Sequence, residues 1–576
     1  MWLNKEKYIL SKAYPDDFKM LLKKSAPLDS KSYCAIKSIL RIARGKKYLD
    51  ICYFFEKYNG LLNVFKTLSK RLKIDGFKCS ALSKFIKSIK TKNFFKSCDY
   101  ADVALDEAKQ VDDLFFKLKN KAESYFLSDY YKICLSSHFR RLQDKTQLFV
   151  NEKFDFPRKR LTHSIEVSFL AERIATQSGM ENYLYKHKKG LDLFFDRSDC
   201  AAIARCAGVL HDIGNPPFGH KGEDVISSFF RKSCIKKKLL INGFDCNSKE
   251  YLDISYFDGN AQSLRIATKL MSFGNNEGAS LTSGVAASII KYPRCSDGVN
   301  NKIGYFLTES DLIEDLEHFG VYKEGYRNPF SCILELADDI SYLISDLEDG
   351  VHKKELNFQD FEFELLKEND AYSVDFLNKI KTRYSSSRLS VHEDSFENII
   401  RPLLSKFKGN LVKSLNVAKV CGYSIFEYII KVGVNEDFKP IEYTEYHKLF
   451  ECLKRVKDNL IKNSKSISDN EHRAEIVLNY LLKKYFNAII ESKISWRNKC
   501  FYSRNKFYNN LLKKRLSPSF VSCFFDNFPI KERNNNNEIV YRKMRMLIDH
   551  ISGMTDSYAE YDKKQIEKIV KKRPSH

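Results

Sequence analysis

Residues 208–223 read GVLHDIGNPPFGHKGE. An apolar run stops at the adjacent pair His211–Asp212, and Pro216–Pro217 then forbids the helix from continuing, because proline lacks the N–H and its ring clashes with the preceding turn. The chain must therefore present two ionisable side chains at the end of a buried helix. A second pair, His220 and Glu223, follows just past a rigid turn. Upstream, CAAIARCAGVLHDIG sets Ile203, Ala207 and Leu210 at i, i+4 and i+7, one apolar helical face, with Ser198 or Asp199 expected as its N-cap.

Helical periodicity recurs wherever periodicity is visible, so the fold class is mostly α. THSIEVSFLAERIA (162–175) is an amphipathic helix opening with Thr162 and His163. In ILELADDISYLISDLEDG the apolar stripe is Ile340, Leu343, Ile344 and Leu347, with Gly350 as a natural helix end, while Asp338, Tyr342 and Asp346 recur every four residues on another face. Residues 234–256 and 275–330 read as inserted loops or short β hairpins. No internal repeat is present.

At 576 residues the chain can hold two to four domains or one elaborated helical body. No apolar run approaches the roughly 18 residues of a membrane span, and the start, MWLNKEKYILSKAYPDDFKM, has no apolar signal region, so the expected location is the cytoplasm without membrane contact. Fifteen cysteines, none in a CxxC pair, read as reduced, mostly buried thiols. The net charge of +23 is uneven: residues 1–100 hold 23 Lys or Arg against 8 Asp or Glu, interleaved with Phe and Tyr in KSIKTKNFFKSCDY (87–100). Such a block suits a nucleic-acid backbone, and equally a solvated lysine-rich surface.

His163, His211–Asp212 and the pair Asp338–Asp339 lie on or at the ends of three separate expected helices. Two imidazoles and two carboxylates converging from such positions suit an octahedral divalent ion with open places for water and phosphate oxygens.

The order H…HD…D resembles the HD phosphohydrolase superfamily. FRRLQDKTQLF (139–149), RLTHSIEV (160–167), LHDIGNPPFGHKGE (210–223), FDGNAQSLRI (257–266), KYPR (291–294), ELADDISYLISDLEDG (335–350) and DHISGMTDSYA (549–559) resemble, in order, the motifs of the bacterial deoxyguanosine triphosphate triphosphohydrolases. The resemblance implies an HD-domain helical phosphohydrolase core with helical additions and short β hairpins. It implies a basic N-terminal region at 1–110 without assignment, a catalytic core at 111–350, and a C-terminal helical region at 351–576 that completes the nucleotide pocket.

By position it further implies that His163, His211, Asp212 and Asp338 bind a divalent metal, Mg²⁺, Mn²⁺ or Co²⁺. Asp338 is chosen over Asp339 because the family's ligand stands four residues before the Tyr, and because Asp338 lies opposite the apolar stripe; Asp339 then supports or caps. The resemblance also implies that His220 is catalytic, oriented by Glu223, as acid, base or nucleophile. On the same resemblance Gln147 would line the nucleoside pocket, Arg160, Lys291 and Tyr292 would contact the triphosphate, and Tyr342 and Asp346 would meet the deoxyribose. Asn260 is a weaker candidate, Arg542 and Arg545 weaker still. The implied reaction converts dGTP, or another dNTP, to deoxynucleoside and inorganic triphosphate, in a homo-oligomer whose relatives bind single-stranded DNA. The alternatives are an HD phosphodiesterase or pyrophosphatase acting on another nucleotide, and a nucleic-acid-binding protein with a vestigial HD site.

Overall fold

The computed structural model describes residues 126–148, 158–177, 197–271, 278–279, 281–299, 302–318, 321–352, 358–367, 439–443, 447–461 and 465–571, with residues 374 and 378 singly. Almost all of these belong to one compact unit, residues 129–180 and 200–576. The other unit takes in residues 3–128 and 181–199. The basic N-terminal block singled out above lies outside the described residues.

The described residues are mostly helical, as the periodicity predicts. The site is built by α1 (Arg160–Gln177), α2 (Arg197–Leu210), α3 (Gly219–Arg231), α4 (Gly259–Arg265), α5 (Pro329–His352) and α6 (His447–Ile461). Behind them stand α7 (Lys465–Ile490), α8 (Asn536–Ser552) and α9 (Asp556–Lys571), with α7 packed on α3 and α8. Among the described residues the only sheet is the antiparallel pair β1 (Lys493–Ser495) and β2 (Cys500–Tyr502), with Ile494 opposite Phe501.

Three local expectations are corrected. Residues 234–256 are not loops or hairpins but carry the helices Ser233–Ile241 and Lys249–Ser255, the second capped by Ser248, whose hydroxyl accepts the Tyr251 N–H at 3.3 Å. Within 275–330 the helices Ser283–Ser288 and Ser310–His318 form likewise. Ser198 and Asp199 already lie inside α2, so neither caps it, and α5 runs past Gly350 to His352: glycine lowers helix propensity by only about 1 kcal/mol, and helices in folded proteins are held mostly by tertiary packing.

Burial explains how the elements meet. α1 turns Val167, Leu170, Ala171 and Ile174 inward, and α5 turns in Leu336, Ala337, Ile340, Leu343, Ile344 and Leu347. α2 approaches α1 backbone to backbone: a Cβ on Gly208 would stand 2.3 Å from the Ser168 Cα. The loop after α2 is pressed on α4 in the same way, since a Cβ on Gly214 would stand 2.1 Å from the Gly259 carbonyl oxygen. Distant segments lock this turn. Buried Lys145 donates to the carbonyls of Asn215 and Ser552. Asp556, at the start of α9, accepts the Thr146 N–H and hydroxyl with one oxygen and the Phe218 N–H with the other. That last bond holds Phe218 at φ 63°, a left-handed conformation costly for a residue with a side chain.

Candidate active site

α1 and α5 lie side by side, which sets His163 of α1 against Asp338 of α5: His163 Nε2 is 3.1 Å from Asp338 Oδ1. His211, delivered by the end of α2, reaches the same carboxylate oxygen with Nε2 at 3.5 Å, its ring edge-on to His163 with centroids 5.4 Å apart. Ligand atoms of His163, His211 and Asp338 all lie within 4.8 Å of one another. The His211 tautomer follows from its other nitrogen. Nδ1 stands 2.7 Å from the Gly208 carbonyl, which can only accept, so Nδ1 carries the proton and Nε2 offers a lone pair inward.

Asp212 stands beside this group and faces His211 with one oxygen. Its Oδ1 accepts from Arg160 at 2.9 Å and from Asn215, while Oδ2 lies 3.5 Å from His211 Nε2. Asp212 Oδ2 and His211 Nε2 are both buried without a hydrogen-bond partner among the described residues. Two orphaned lone pairs, one nitrogen and one carboxylate oxygen, facing each other beside a third ligand pair, are what a divalent cation relieves, and the donor set fits one. Burial raises both carboxyls, yet the Arg160 guanidinium outweighs it at Asp212, and the His163 hydrogen bond with Lys291 outweighs it at Asp338, so both are held below the usual carboxylate range. Asp339, beside them, goes the other way: burial pushes it up to about 7 against the pull of Lys291.

These groups open into one cavity of about 290 Å³. His220 stands at its exposed rim, its Nδ1 bonded to Glu223, and the loop between Asp212 and α3 sets its distance from the ligand group. Gln147 lines the cavity with a buried Oε1 that has no hydrogen-bond partner among the described residues. Lys291, Tyr292, Tyr342, Arg160 and Asn260 line it too. Two of these are already engaged: Arg160 orients Asp212, and the Asn260 amide donates to Asp258 at 2.8 Å. Lys291 is drawn to Glu335 at 3.5 Å and Asp338 at 3.9 Å.

Asp346 is not a cavity residue. It is buried on the expected face of α5, where Lys457 donates to it at 3.2 Å. Arg542 and Arg545 do not reach the cavity: Arg542 binds Glu538 and the Asn527 carbonyl, and Arg545 lies over the Phe306 ring, bonded to Gln262. The sequence reading missed Lys302, Phe450, Lys454 and Lys457, all lining the cavity. Phe450, Lys454 and Lys457 fall at i, i+4 and i+7 in HKLFECLKRVKDNLI, a signal of one helical face that lysines on any solvated helix also give.

The HD domain family model matches residues 160–243, which span α1, α2, α3 and the turn between them. The chain is 32% identical over 475 residues to a deoxyguanosinetriphosphate triphosphohydrolase-like protein of Listeria innocua, covering 80% of this chain and 97% of that protein. A protein of the same description from Synechocystis is 30% identical over 75% of this chain and 91% of its own length. The deoxyguanosinetriphosphate triphosphohydrolase of Yersinia enterocolitica is 28% identical over 76% of this chain and 92% of its own.

Proposed function

The chain belongs to the HD-domain deoxyguanosinetriphosphate triphosphohydrolase family, and we propose that it hydrolyses dGTP, with other dNTPs as further substrates, to deoxynucleoside and intact inorganic triphosphate. The observation that carries this reading is the meeting, in one cavity, of the His163–His211–Asp338 group, a His–Glu dyad and several lysines. In this reading His163, His211, Asp212 and Asp338 hold a divalent ion, Mg²⁺, Mn²⁺ or Co²⁺. Such an ion supplies Lewis-acid polarisation of the α-phosphate.

The rest is the work of this chain's own side chains. Lys291 and Tyr292, with Lys302 and Lys454 near them, offset the charge of a triphosphate that carries about four negative charges, and so hold its α-phosphorus in line for attack. Arg160 holds Asp212 in place from behind and keeps it ionised. Glu223 fixes the His220 ring so that Nε2 faces the cavity, where it acts as acid, base or nucleophile at the scissile P–O bond. Residues 111–350 carry the catalysis in this reading, and 351–576 complete the pocket through α6. Among the described residues no helix is long and apolar enough to cross a membrane.

The Tyr342 ring meets the 2′ face of the deoxyribose and leaves no room for a hydroxyl. Tyr342→Ala should therefore cost dGTP turnover far more than GTP turnover, measured as kcat/KM on each. An equal loss on both would make Tyr342 a packing residue. Self-association, and single-stranded DNA binding by the basic residues 1–110, belong to the same proposal. DNA should then alter dGTP hydrolysis in the full chain, and no longer do so once residues 1–100 are deleted.

A further inference from the structure

We propose that the junction between α8 and α9 clamps both ends of the turn 215–218, and that its two buried contacts serve different groups: Lys145 is a positioning residue for the metal ligand Asp212, and Asp556 is one for the His220–Glu223 dyad. This rests on the metal-dependent phosphohydrolase reading of the cavity. Neither Lys145 nor Asp556 lines that cavity, so each acts through a neighbour.

Lys145 is buried, and among the described residues both of its partners are backbone carbonyls, that of Asn215 and, at 2.9 Å, that of Ser552 at the end of α8. Burial, and then Arg141, push its ammonium from the ordinary 10.5 down to about 7 against the pull of Asp556. A methionine would fill the same slot without burying a charge, so packing alone does not call for a lysine here. Its hold falls on Asn215, whose side-chain amide donates to Asp212 Oδ1, while Oδ2 of that carboxylate is left facing His211 Nε2 at 3.5 Å. Fixing the Asn215 backbone therefore decides which Asp212 oxygen is offered to an ion. Arg160 holds the same Oδ1 at 2.9 Å, so Lys145 sharpens the aim of a ligand that is already tethered.

At the other end of the turn Asp556 Oδ1 accepts the Phe218 N–H at 2.9 Å, and Oδ2 accepts the Thr146 N–H at 3.0 Å and its hydroxyl at 2.5 Å. Phe218 is the residue before α3, and the first turns of α3 carry His220 and Glu223. A left-handed Phe218 persists only where its surroundings hold it, and Asp556 does so from α9. An amide at 556 has one oxygen, which cannot serve Thr146 and Phe218 together.

The test separates the two contacts. Mn²⁺ is titrated by calorimetry into chelator-treated full-length protein, and kcat on dGTP is measured at saturating Mn²⁺. Lys145→Met should weaken Mn²⁺ binding about tenfold, the lower end of what a partner behind a ligand contributes. Asp556→Asn should keep Mn²⁺ affinity within about threefold of wild type and lower kcat about tenfold or more, the scale of a misplaced catalytic group. In an Asn215→Ala background, Lys145→Met should weaken Mn²⁺ little further, because the link to Asp212 is already cut. Should Lys145→Met fail to fold by thermal melting, Lys145→Gln takes its place. Wild-type Mn²⁺ affinity in the Lys145 variant, losses that add in full in the double variant, or the same pattern of losses from both positions overturns the proposal: the clamp would then only stabilise the fold. Absence of Mn²⁺ binding by wild type would instead overturn the underlying metal reading.

Discussion

His220 Nδ1 stands 3.0 Å from Glu223 Oε2, and the other oxygen of that carboxylate accepts the Gly259 N–H at 2.8 Å. The dyad is thus anchored on α4, in the FDGNAQ stretch. Burial pushes the Glu223 carboxyl up, and the bond from His220 outweighs it, so Glu223 stays ionised. Glu223→Gln keeps the shape and removes the charge. It should lower kcat about a hundredfold, the scale of a positioned general acid or base, and leave KM within about threefold. A loss confined to KM would assign Glu223 to binding.

Metal binding is read without turnover. Titrating Mn²⁺ into the chelator-treated protein should raise its melting temperature, since a ligand at 100 times its dissociation constant stabilises the native state by about 2.7 kcal/mol. Asp338→Asn and Asp212→Ala should fold and lose the rise. A rise of wild-type size in either variant would place the ion elsewhere.

Gly214 is a packing requirement. Gly214→Ala puts a methyl 2.1 Å from the Gly259 carbonyl oxygen, and two backbones must part to admit it. Urea denaturation should show a loss of roughly 1–3 kcal/mol or more, with kcat falling too, because the same turn sets Asp212. A neutral stability change would mean that the turn and α4 are not in contact.

His550 supplies a pH test away from the metal group. Burial, with Arg141 nearby, pushes its imidazole from the ordinary 6.5 down to about 3, and it packs edge-on against the Tyr485 ring. Between those values the unfolded chain binds the extra proton, so this group's stability contribution is lost as pH falls from about 6.5 toward 3, at roughly 1.4 kcal/mol per pH unit. Asp253, raised by burial to about 6, has the opposite sign, so the informative quantity is a difference between proteins. His550→Gln should gain on wild type by about 1.4 kcal/mol between pH 6 and pH 5 in urea denaturation. Parallel curves would show that His550 is not held neutral.

What could be read in the sequence divides along physical lines. His211–Asp212 were legible because a helix meeting Pro216–Pro217 has one way to end. His163 and the pair Asp338–Asp339 stood on expected helices of their own, the family resemblance made His163 and Asp338 the ligands, and nothing in periodicity alone says that α1 and α5 lie together. The helices in 234–256 were missed because lysine-rich surface helices, such as Ser233–Ile241, show little apolar periodicity. Asp346 was placed on the correct face of α5, yet a face does not reveal what covers it: Lys457, more than a hundred residues later, does so. Pairings of that range are fixed by tertiary packing, and α6 offered only lysines that solvent accommodates equally well.

The central claim is a single cleavage at the α-phosphorus. Wild-type protein with dGTP and Mn²⁺ in ¹⁸O-labelled water, followed by anion-exchange chromatography and mass spectrometry, should yield deoxyguanosine and intact triphosphate carrying one ¹⁸O, with no product when a chelator is present. Deoxyguanosine monophosphate with pyrophosphate, label in the nucleoside, or turnover unaffected by the chelator would contradict it.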